Sequence, residues 1–476
     1  MTDGTPHPEA VDVRIIPIPY RDPAATFAAF AGDPVAALLQ SCARDGTRGR
    51  YSYIAAHPYR LIVARESGVS VDGQSVEGDP FSVLERELAA HPAPEGDCPV
   101  PFRTGAVGFL SYELGRHLER LPPAAPSNVP VPDMVMGLYD TLIAFDHETQ
   151  AAFVISSGLP ETDATARAQR ADLRAQEMMT RLAASPEEPA AADWSSCSLW
   201  QAERPRGEVE ASIARVIDYI HAGDIFQANL TQQLRAPRPA GVSDLQLYAR
   251  LRALSPSPFA ALLACGPDLA VISASPERFL QLSASGAVET RPIKGTRARS
   301  AHAEEDAALA AALVASPKDR AENLMIVDLM RNDLGRVSQL GSVAVPALNR
   351  LETFASVHHL VSVVTSQLRA GLGPVDLLRA CFPGGSITGA PKIRAMEIIR
   401  ELEPSPRGVY CGTIAWIGFD GAMDSSIVIR TITRVGETLL TQAGGGIVAD
   451  SEPSGEYEES LVKLAPMLRA VAGPEA

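Results

Sequence analysis

Near the C-terminus Glu456, Glu459 and Lys463 recur at i, i+3 and i+7, which places two carboxylates and an amine on one helical face. Leu461, Leu464 and Leu468 occupy the neighbouring apolar face. On spacing alone this is a solvated acidic face with an i, i+4 Glu–Lys pair. The segment Pro317–Leu334 weighs against that reading. There Glu322 shares a helical stripe with Met325, Ile326 and Leu329, so a carboxylate points where apolar residues point. A buried, unpaired carboxylate is costly and is relieved by a cation, a partner or a proton. Two inward carboxylates from different helices, with no Cys/His cluster, suit a hard, oxygen-liganded ion. Mg²⁺ needs few protein carboxylates and takes its other ligands from water and an anionic substrate. Glu322 with Glu459 is the expected pair, and Asp328 or Asp333 replaces Glu322 if the helix phase is shifted.

Gln442-Ala443-Gly444-Gly445-Gly446 follows a predicted strand. Its glycines would let backbone N–H groups converge on an anion, although a tight turn needs nothing more. Nearby Arg430 lies in the apolar run Ile427–Thr431, where a guanidinium needs a partner and a bidentate carboxylate serves best. A structural ion pair would satisfy it equally. Pro292-Ile293-Lys294-Gly295-Thr296 sets a lysine between a Pro-fixed segment and a glycine. Lysine is a nucleophile only when neutral, which takes desolvation or neighbouring positive charge, and Arg291, Arg297 and Arg299 could supply the latter. A lone lysine is more often solvated. Ser275-Pro276-Glu277-Arg278 closes a strand with a carboxylate at its tip, an acid/base candidate or half of an ordinary Glu–Arg pair. His359, beside His358 in an apolar stretch, is more often a satisfied core histidine than a catalyst.

The elements that must position these groups follow from periodicity and punctuation. Helices are expected over Thr162–Ala183, Glu208–His221, Pro317–Leu334, Pro374–Ala380, Pro391–Leu402 and Gly455–Ala470. Strands are expected over Tyr51–Ala55, Arg60–Ala64, Phe226–Leu234, Phe259–Leu263, Leu269–Ser273, Arg278–Leu282, Ser342–Pro346, Tyr410–Gly418, Ser425–Val435 and Thr438–Gly444. Runs of adjacent strands point to large mixed or antiparallel sheets with helices outside, an α+β architecture. Pro-rich stretches at Pro122–Pro132 and Ser185–Asp193 read as connectors. The main boundary is expected near residue 200, dividing an N-terminal region (1–200) from a catalytic region (201–476).

The 476 residues carry 42 Lys+Arg against 57 Asp+Glu, a net charge of −15, which disfavours nucleic acid or an anionic membrane as the main partner. No apolar run reaches the roughly 18–20 residues of a membrane span. The polar N-terminus lacks the order of a secretory signal, and six scattered cysteines form no C-x-x-C pair. A cytoplasmic protein with reduced thiols is expected.

Ten segments in order resemble the chorismate-utilising enzyme family, which covers anthranilate synthase large subunits, aminodeoxychorismate synthase component I, and isochorismate and salicylate synthases. They run from DIFQANLTQ (224–232) through SPERF (275–279), PIKGTRAR (292–299), AENLMIVDLMRNDLGRV (321–337), VHHLVS (357–362) and FPGGSITGAPKIRAMEII (382–399). RGVYCG (407–412), DSSIVIRT (424–431), QAGGGIVADSEP (442–453) and GEYEESLVK (455–463) complete the set. Each is weak alone, but the ordered set is specific. The resemblance implies a sandwich of two large antiparallel sheets with helices outside, chorismate between them, and Mg²⁺ on its ring carboxylate. By position, Glu322 and Glu459 match metal ligands, with Glu456 assisting through water. Arg430, Tyr410, Gly444, Gly445, Gly446 and Lys463 match groups holding the substrate carboxylates. Glu277 matches an acid/base and His359 a residue near the leaving hydroxyl. Gly295 and Thr296 match the wall beside the ring, and Ser386 stands where many relatives have Thr.

Two positions sort the subfamilies. Isochorismate and salicylate synthases carry Lys as a water-activating base where this chain has Gln227, which disfavours those activities. Anthranilate synthases usually read Pro-Ile-Ala-Gly-Thr. Lys294 resembles instead the lysine of aminodeoxychorismate synthase component I, which attacks C2 of chorismate and expels the C4 hydroxyl before ammonia attacks C4. Anthranilate synthase, or a chorismate-binding subunit without turnover, are the alternatives. No G-x-C-x-G elbow surrounds a cysteine, so the resemblance implies a separate glutamine amidotransferase subunit as ammonia source. Ser41, in Leu38–Ser41, with Pro256 and Phe259, in Pro256–Ala260, resembles a tryptophan pocket of relatives.

Overall fold

The computed structural model describes residues 11–472 apart from 44–48, 124, 128, 185–193, 195–199 and 354–356. The expected connector Ser185–Asp193, Cys197 and the first ten residues lie outside the described residues. Two twelve-stranded antiparallel sheets form the centre. The first runs in the order Ile293–Ala298, Val357–Gln367, Ala287–Thr290, Arg278–Leu282, Met423–Ile427, Thr413–Gly418, Gly105–Leu110, Met134–Tyr139, Arg60–Arg65, Gly68–Val71 and Gln74–Val76. Ala344–Thr353 joins it against Val357–Gln367. The second runs Gln201–Ala202, Gln227–Pro237, Thr438–Ile447, Thr431–Val435, Leu269–Ser275, Phe259–Cys265, Val35–Gln40, Tyr51–Ala56, Thr141–Asp146, Ala151–Ser156 and Arg14–Ile18, with Gly389–Ala390 joined against Gln227–Pro237. Both sheets take strands from either side of residue 200, so that division is one of sequence and not of sheets.

Three apolar layers explain why the strands read as near-continuous hydrophobic runs, buried on both faces. Between the sheets pack Tyr53, Phe102, Phe109, Ile155, Val271 and Trp416. Outside the first sheet, helices Pro80–Ala89, Pro317–Gly335 and Pro374–Cys381 bury Phe81, Ile326, Met330 and Leu378. Outside the second, Ala164–Ala183, Asp244–Leu254 and Pro453–Val471 bury Met178, Leu247, Leu464 and Met467. The helices start where their caps direct: Ser316 accepts from Asp319 N, and Ser243 forms a capping box with Gln246.

One expected strand is two. Ser425–Val435 divides into Met423–Ile427 in the first sheet and Thr431–Val435 in the second, and Val428–Arg430 carries the chain across. Apolar periodicity continues through the crossing because both sheets bury their facing surfaces, so the sequence carries no mark of the break. Arg430 takes the left-handed backbone there, with φ 53°.

Candidate active site

Lys294 lies on the edge strand Ile293–Ala298 at a bulge, where Ile293 pairs with Val361 and Thr296 with His359. A bulge inserts one extra residue and re-aims a side chain. Gly295 makes it sterically feasible: its φ is +80°, and a Cβ there would sit 2.8 Å from Leu313 Cδ1 and 2.9 Å from Asp319 Cγ. The Lys294 side chain is 12% exposed and reaches toward the second sheet. A Cβ on Gly446 would lie 3.0 Å from its Nζ and 2.4 Å from Gln227 Nε2. Gln227 is fully buried, and among the described residues neither its amide nitrogen nor its oxygen has a partner. Lys294 Nζ stands 4.0 Å from Glu322 Oε2. The arginines expected to surround the lysine with positive charge are each matched by a carboxylate: Arg291 by Glu289, Arg297 by Asp319 and Arg299 by Asp306. The charged side chain nearest the amine is therefore the Glu322 carboxylate and not one of these guanidinium groups.

Glu277 sits between strands Leu269–Ser275 and Arg278–Leu282, buried, with its carboxyl hydrogen-bonded to Ser386. Burial pushes its pKa up to about 7, against the smaller opposing pulls of Ser386, Lys294 and the Ile293 amide. Its neighbour Arg278 faces the other way, forked onto Asp424 at 3.0 Å and 3.0 Å. Glu277 is thus not half of a local Glu–Arg pair. His359 is buried and linked through Nδ1 to Thr296 Oγ1 at 2.9 Å.

The carboxylates come from two helices, Pro317–Gly335 and Pro453–Val471, and Lys318 reaches an acid on each. Glu322 is 13% exposed, and burial raises its pKa against the pull of Lys294 and Lys318. On the last helix Glu456 is the buried member, accepting from Ser451 Oγ at 2.6 Å, whereas Glu459 is 54% exposed and paired with Lys463 at 2.7 Å. For Glu459, burial is outweighed by Lys463 and the carboxyl is held below its usual pKa. Lys318 spans the gap, 3.3 Å from Glu456 Oε1 and 3.9 Å from Glu322 Oε1. Partial burial opposes its charge, but Glu456 and Glu322 outweigh this and raise its pKa. The alternative acids fall elsewhere: Asp328 is exposed beside Arg331, and buried Asp333 is neutralised by Lys392 at 2.6 Å.

Gly444, Gly445 and Gly446 do not form an anion loop after a strand. They lie inside the strand Thr438–Ile447, paired with Thr231, Leu230 and Asn229. They are small because of what faces them: a Cβ on Gly444 would meet Leu230 O at 1.9 Å, and one on Gly445 would meet Glu456 Oε2 at 2.9 Å. Lys463 Nζ is fixed by Gly444 O at 2.9 Å. Arg430 donates to Lys463 O at 2.8 Å, and among the described residues no carboxylate pairs with it. Burial lowers its pKa, and the nearby Tyr410 phenol and Glu459 oppose this. Tyr410 itself is buried and lines a cavity of about 760 Å³ with Arg407, Thr431 and Gln442.

Ser41 and Phe259 line a cavity of about 150 Å³ together with Tyr51, Tyr53, Arg278 and Trp416. Pro256 faces an adjoining opening of about 320 Å³, which Ser41 also touches. Sequence reasoning passed over Lys318, and it gave Gln227 no place beside the lysine. Lysine scarcity was the available signal, because the chain has four lysines: Lys294, Lys318, Lys392 and Lys463.

A family model described as chorismate binding enzyme matches residues 37–469. The chain is 42% identical to aminodeoxychorismate synthase component 1 of Klebsiella aerogenes, covering 94% of this chain and 97% of that protein. It is 40% identical to anthranilate synthase component 1 of Streptomyces coelicolor, over 99% of this chain and 89% of the relative. Among solved structures it resembles anthranilate synthase component I of Streptococcus pneumoniae, with TM-score 0.78 and 33% identity over 90% of this chain and 94% of the other. The two-sheet sandwich, the carboxylates of two helices bridged by Lys318 and this match over nearly the whole length make the chain a member of the chorismate-binding enzyme family.

Proposed function

We propose that this protein is an aminodeoxychorismate synthase component 1, which exchanges the C4 hydroxyl of chorismate for an amino group. The observation that carries the reading is the placement of Lys294, whose amine is aimed inward beside Glu277, Glu322 and Gly446 instead of outward. Three relatives at 42% identity bear that name.

In the proposed reaction the neutral Lys294 amine bonds to C2 of chorismate as the two conjugated ring double bonds shift and the C4–O bond breaks. A protonated Glu277 delivers its proton to the leaving oxygen, releasing water. Ammonia then bonds to C4, the C2–N bond breaks to release Lys294 as its neutral amine, and both double bonds return. Glu277 as carboxylate takes the proton lost by the incoming amine. A carboxyl with a pKa near 7 can hold and release that proton near neutral pH. Net, one ammonia replaces one water. Arg430 and Lys463 would hold substrate carboxylates, and the hydrogen bond from Ser386 would keep Glu277 in line.

The site fits a divalent cation. Its donors are all carboxylate oxygens, and one ammonium, that of Lys318, already stands among them. Among the described residues no three acids converge as a ready-made cage, so waters and substrate oxygens would have to complete the shell of a bound Mg²⁺. Glu322 and Glu459 would hold it, with Glu456 assisting through water, and when bound it supplies a Lewis acid and template for a substrate carboxylate. The ammonia would come from a separate glutamine amidotransferase.

The match to anthranilate synthases favours a second reading, in which ammonia bonds to C2 as the C4 hydroxyl leaves as water, and elimination of the enolpyruvyl group as pyruvate then gives anthranilate. Incubation with chorismate, Mg²⁺ and ammonium salt decides between them. Aminodeoxychorismate is expected; anthranilate fluorescence without it would overturn the proposal, and chorismate binding without turnover would overturn both.

A further inference from the structure

The chain uses lysine sparingly. Of its 42 basic residues only four are lysines, and three of them, Lys294, Lys318 and Lys463, touch the same set of carboxylates. The fourth, Lys392, neutralises Asp333 elsewhere. A protein that otherwise relies on arginine has placed compact ammonium groups here. Guanidinium forks lock onto carboxylates in two-point geometry, whereas an ammonium is a single strongly hydrated charge on a flexible stem. Lysine is the cation to choose where the partner must later be released.

The three lysines are not equivalent. Lys294 is 12% exposed and Lys463 is anchored to the Gly444 carbonyl. Lys318 is 49% exposed, and its described polar contacts are carboxylates only, Glu456 and Glu322. It also stands in the first turn of helix Pro317–Gly335, where the helix dipole disfavours a cation. Nothing in the helix calls for it at that position. The two acids it bridges come from different helices, and both are in the proposed metal set.

We propose that Lys318 is a displaceable counter-cation: its ammonium holds Glu322 and Glu456 in place while no metal is bound, and must swing into solvent for a divalent cation to enter. The inference rests on the metal reading above. It makes the ammonium and the metal competitors for the same oxygens, so that repulsion between the two carboxylates is relieved without metal and the affinity for metal without substrate is kept low. An anionic substrate, which adds its own oxygens to the metal, tips the competition.

The test is direct binding of Mn²⁺, a paramagnetic probe for Mg²⁺, by the full-length protein without chorismate. Wild type is compared with Lys318→Met, Lys318→Gln and Arg320→Ala, the last removing a charge one turn-fraction away that no described contact ties to these acids. Both Lys318 variants should bind Mn²⁺ about tenfold or more tighter, the scale of removing one charge about 4 Å away in a partly solvated site. Arg320→Ala should change it far less. Acylation of wild type, read lysine by lysine by mass spectrometry, should show Lys318 becoming more reactive as Mn²⁺ saturates, with Lys392 unchanged. Mn²⁺ binding that is lost in Glu322→Gln but unmoved in both Lys318 variants would overturn displacement and leave the carboxylate assignment standing. Equal effects of Lys318→Met and Arg320→Ala would reduce Lys318 to a diffuse field and also overturn it. Unchanged Mn²⁺ affinity with a raised KM for chorismate would assign the ammonium to the substrate instead. Binding that survives Glu322→Gln and Glu459→Gln alike would remove the metal reading and this inference with it.

Discussion

Glu277 and Arg278 are adjacent in sequence and face opposite sides of one strand end. The carboxyl enters the cleft toward Ser386 and Lys294, while the guanidinium grips Asp424 and lines the cavity beside Phe259. The Arg278–Asp424 fork pins the strand on one side and so fixes where the Glu277 carboxyl sits on the other.

The elevated Glu277 pKa has two consequences for pH dependence. Activity should show an inflection near pH 7 that is absent in Glu277→Gln, with kcat lowered by about 10²–10⁴-fold. Stability should move as well. The folded pKa lies above that of an unfolded glutamic acid, so the native state binds the extra proton between about pH 4.5 and 7. The favourable contribution of the neutral buried acid is complete below the unfolded pKa and fades as pH rises through about 7. Denaturant titrations of wild type and Glu277→Gln should therefore diverge across that window, by about 3 kcal/mol at most, with the variant relatively more stable at pH 8. Parallel curves would mean that the acid ionises normally.

Lys294→Ala should lower aminodeoxychorismate formation by about 10³-fold or more, as removal of a reacting group does. Intact mass spectra of wild type quenched during turnover should show a protein–substrate adduct that the variant lacks. Undiminished turnover to the same product would exclude a nucleophilic role.

Glu322→Gln and Glu459→Gln should raise the Mg²⁺ concentration for half-maximal activity, by about tenfold or more for a change at the metal. Glu322 is mostly buried and Glu459 half-exposed, so the larger effect is expected at Glu322. A metal titration that does not shift in either variant would reject the assignment.

Two neighbouring glycines should separate stability from chemistry. Gly444→Ala forces a methyl against the Leu230 carbonyl at 1.9 Å inside a paired strand, which should cost about 3 kcal/mol and lower Tm. Gly446→Ala meets only side-chain ends, Gln227 Nε2 and Lys294 Nζ, which can move at the expense of their aim. The fold should survive while kcat falls, as judged by melting curves beside steady-state kinetics.

Arg430→Lys should raise KM for chorismate nearly as much as Arg430→Ala, because an ammonium cannot reproduce the planar two-point grip on a carboxylate. Full rescue by lysine would show that charge alone matters there.

Local signals in the sequence sufficed for the helices with strong caps and for most strands, because each announces itself within a few residues. Pro317 and Ser316 mark the start of the Glu322 helix, and Glu456, Glu459 and Lys463 fall on one turn-repeat of the last. Residue types alone also bounded the chemistry to carboxylates, an amine and a glycine run. What tertiary structure decided is where those groups meet. The break at Arg430, the bulge that aims Lys294, the burial of Glu456 rather than Glu459, and the use of the glycines as space within a strand all arise from contacts between segments far apart in the chain. Such contacts leave no local periodicity, since a residue facing a distant strand and one facing solvent can occupy the same place in a pattern.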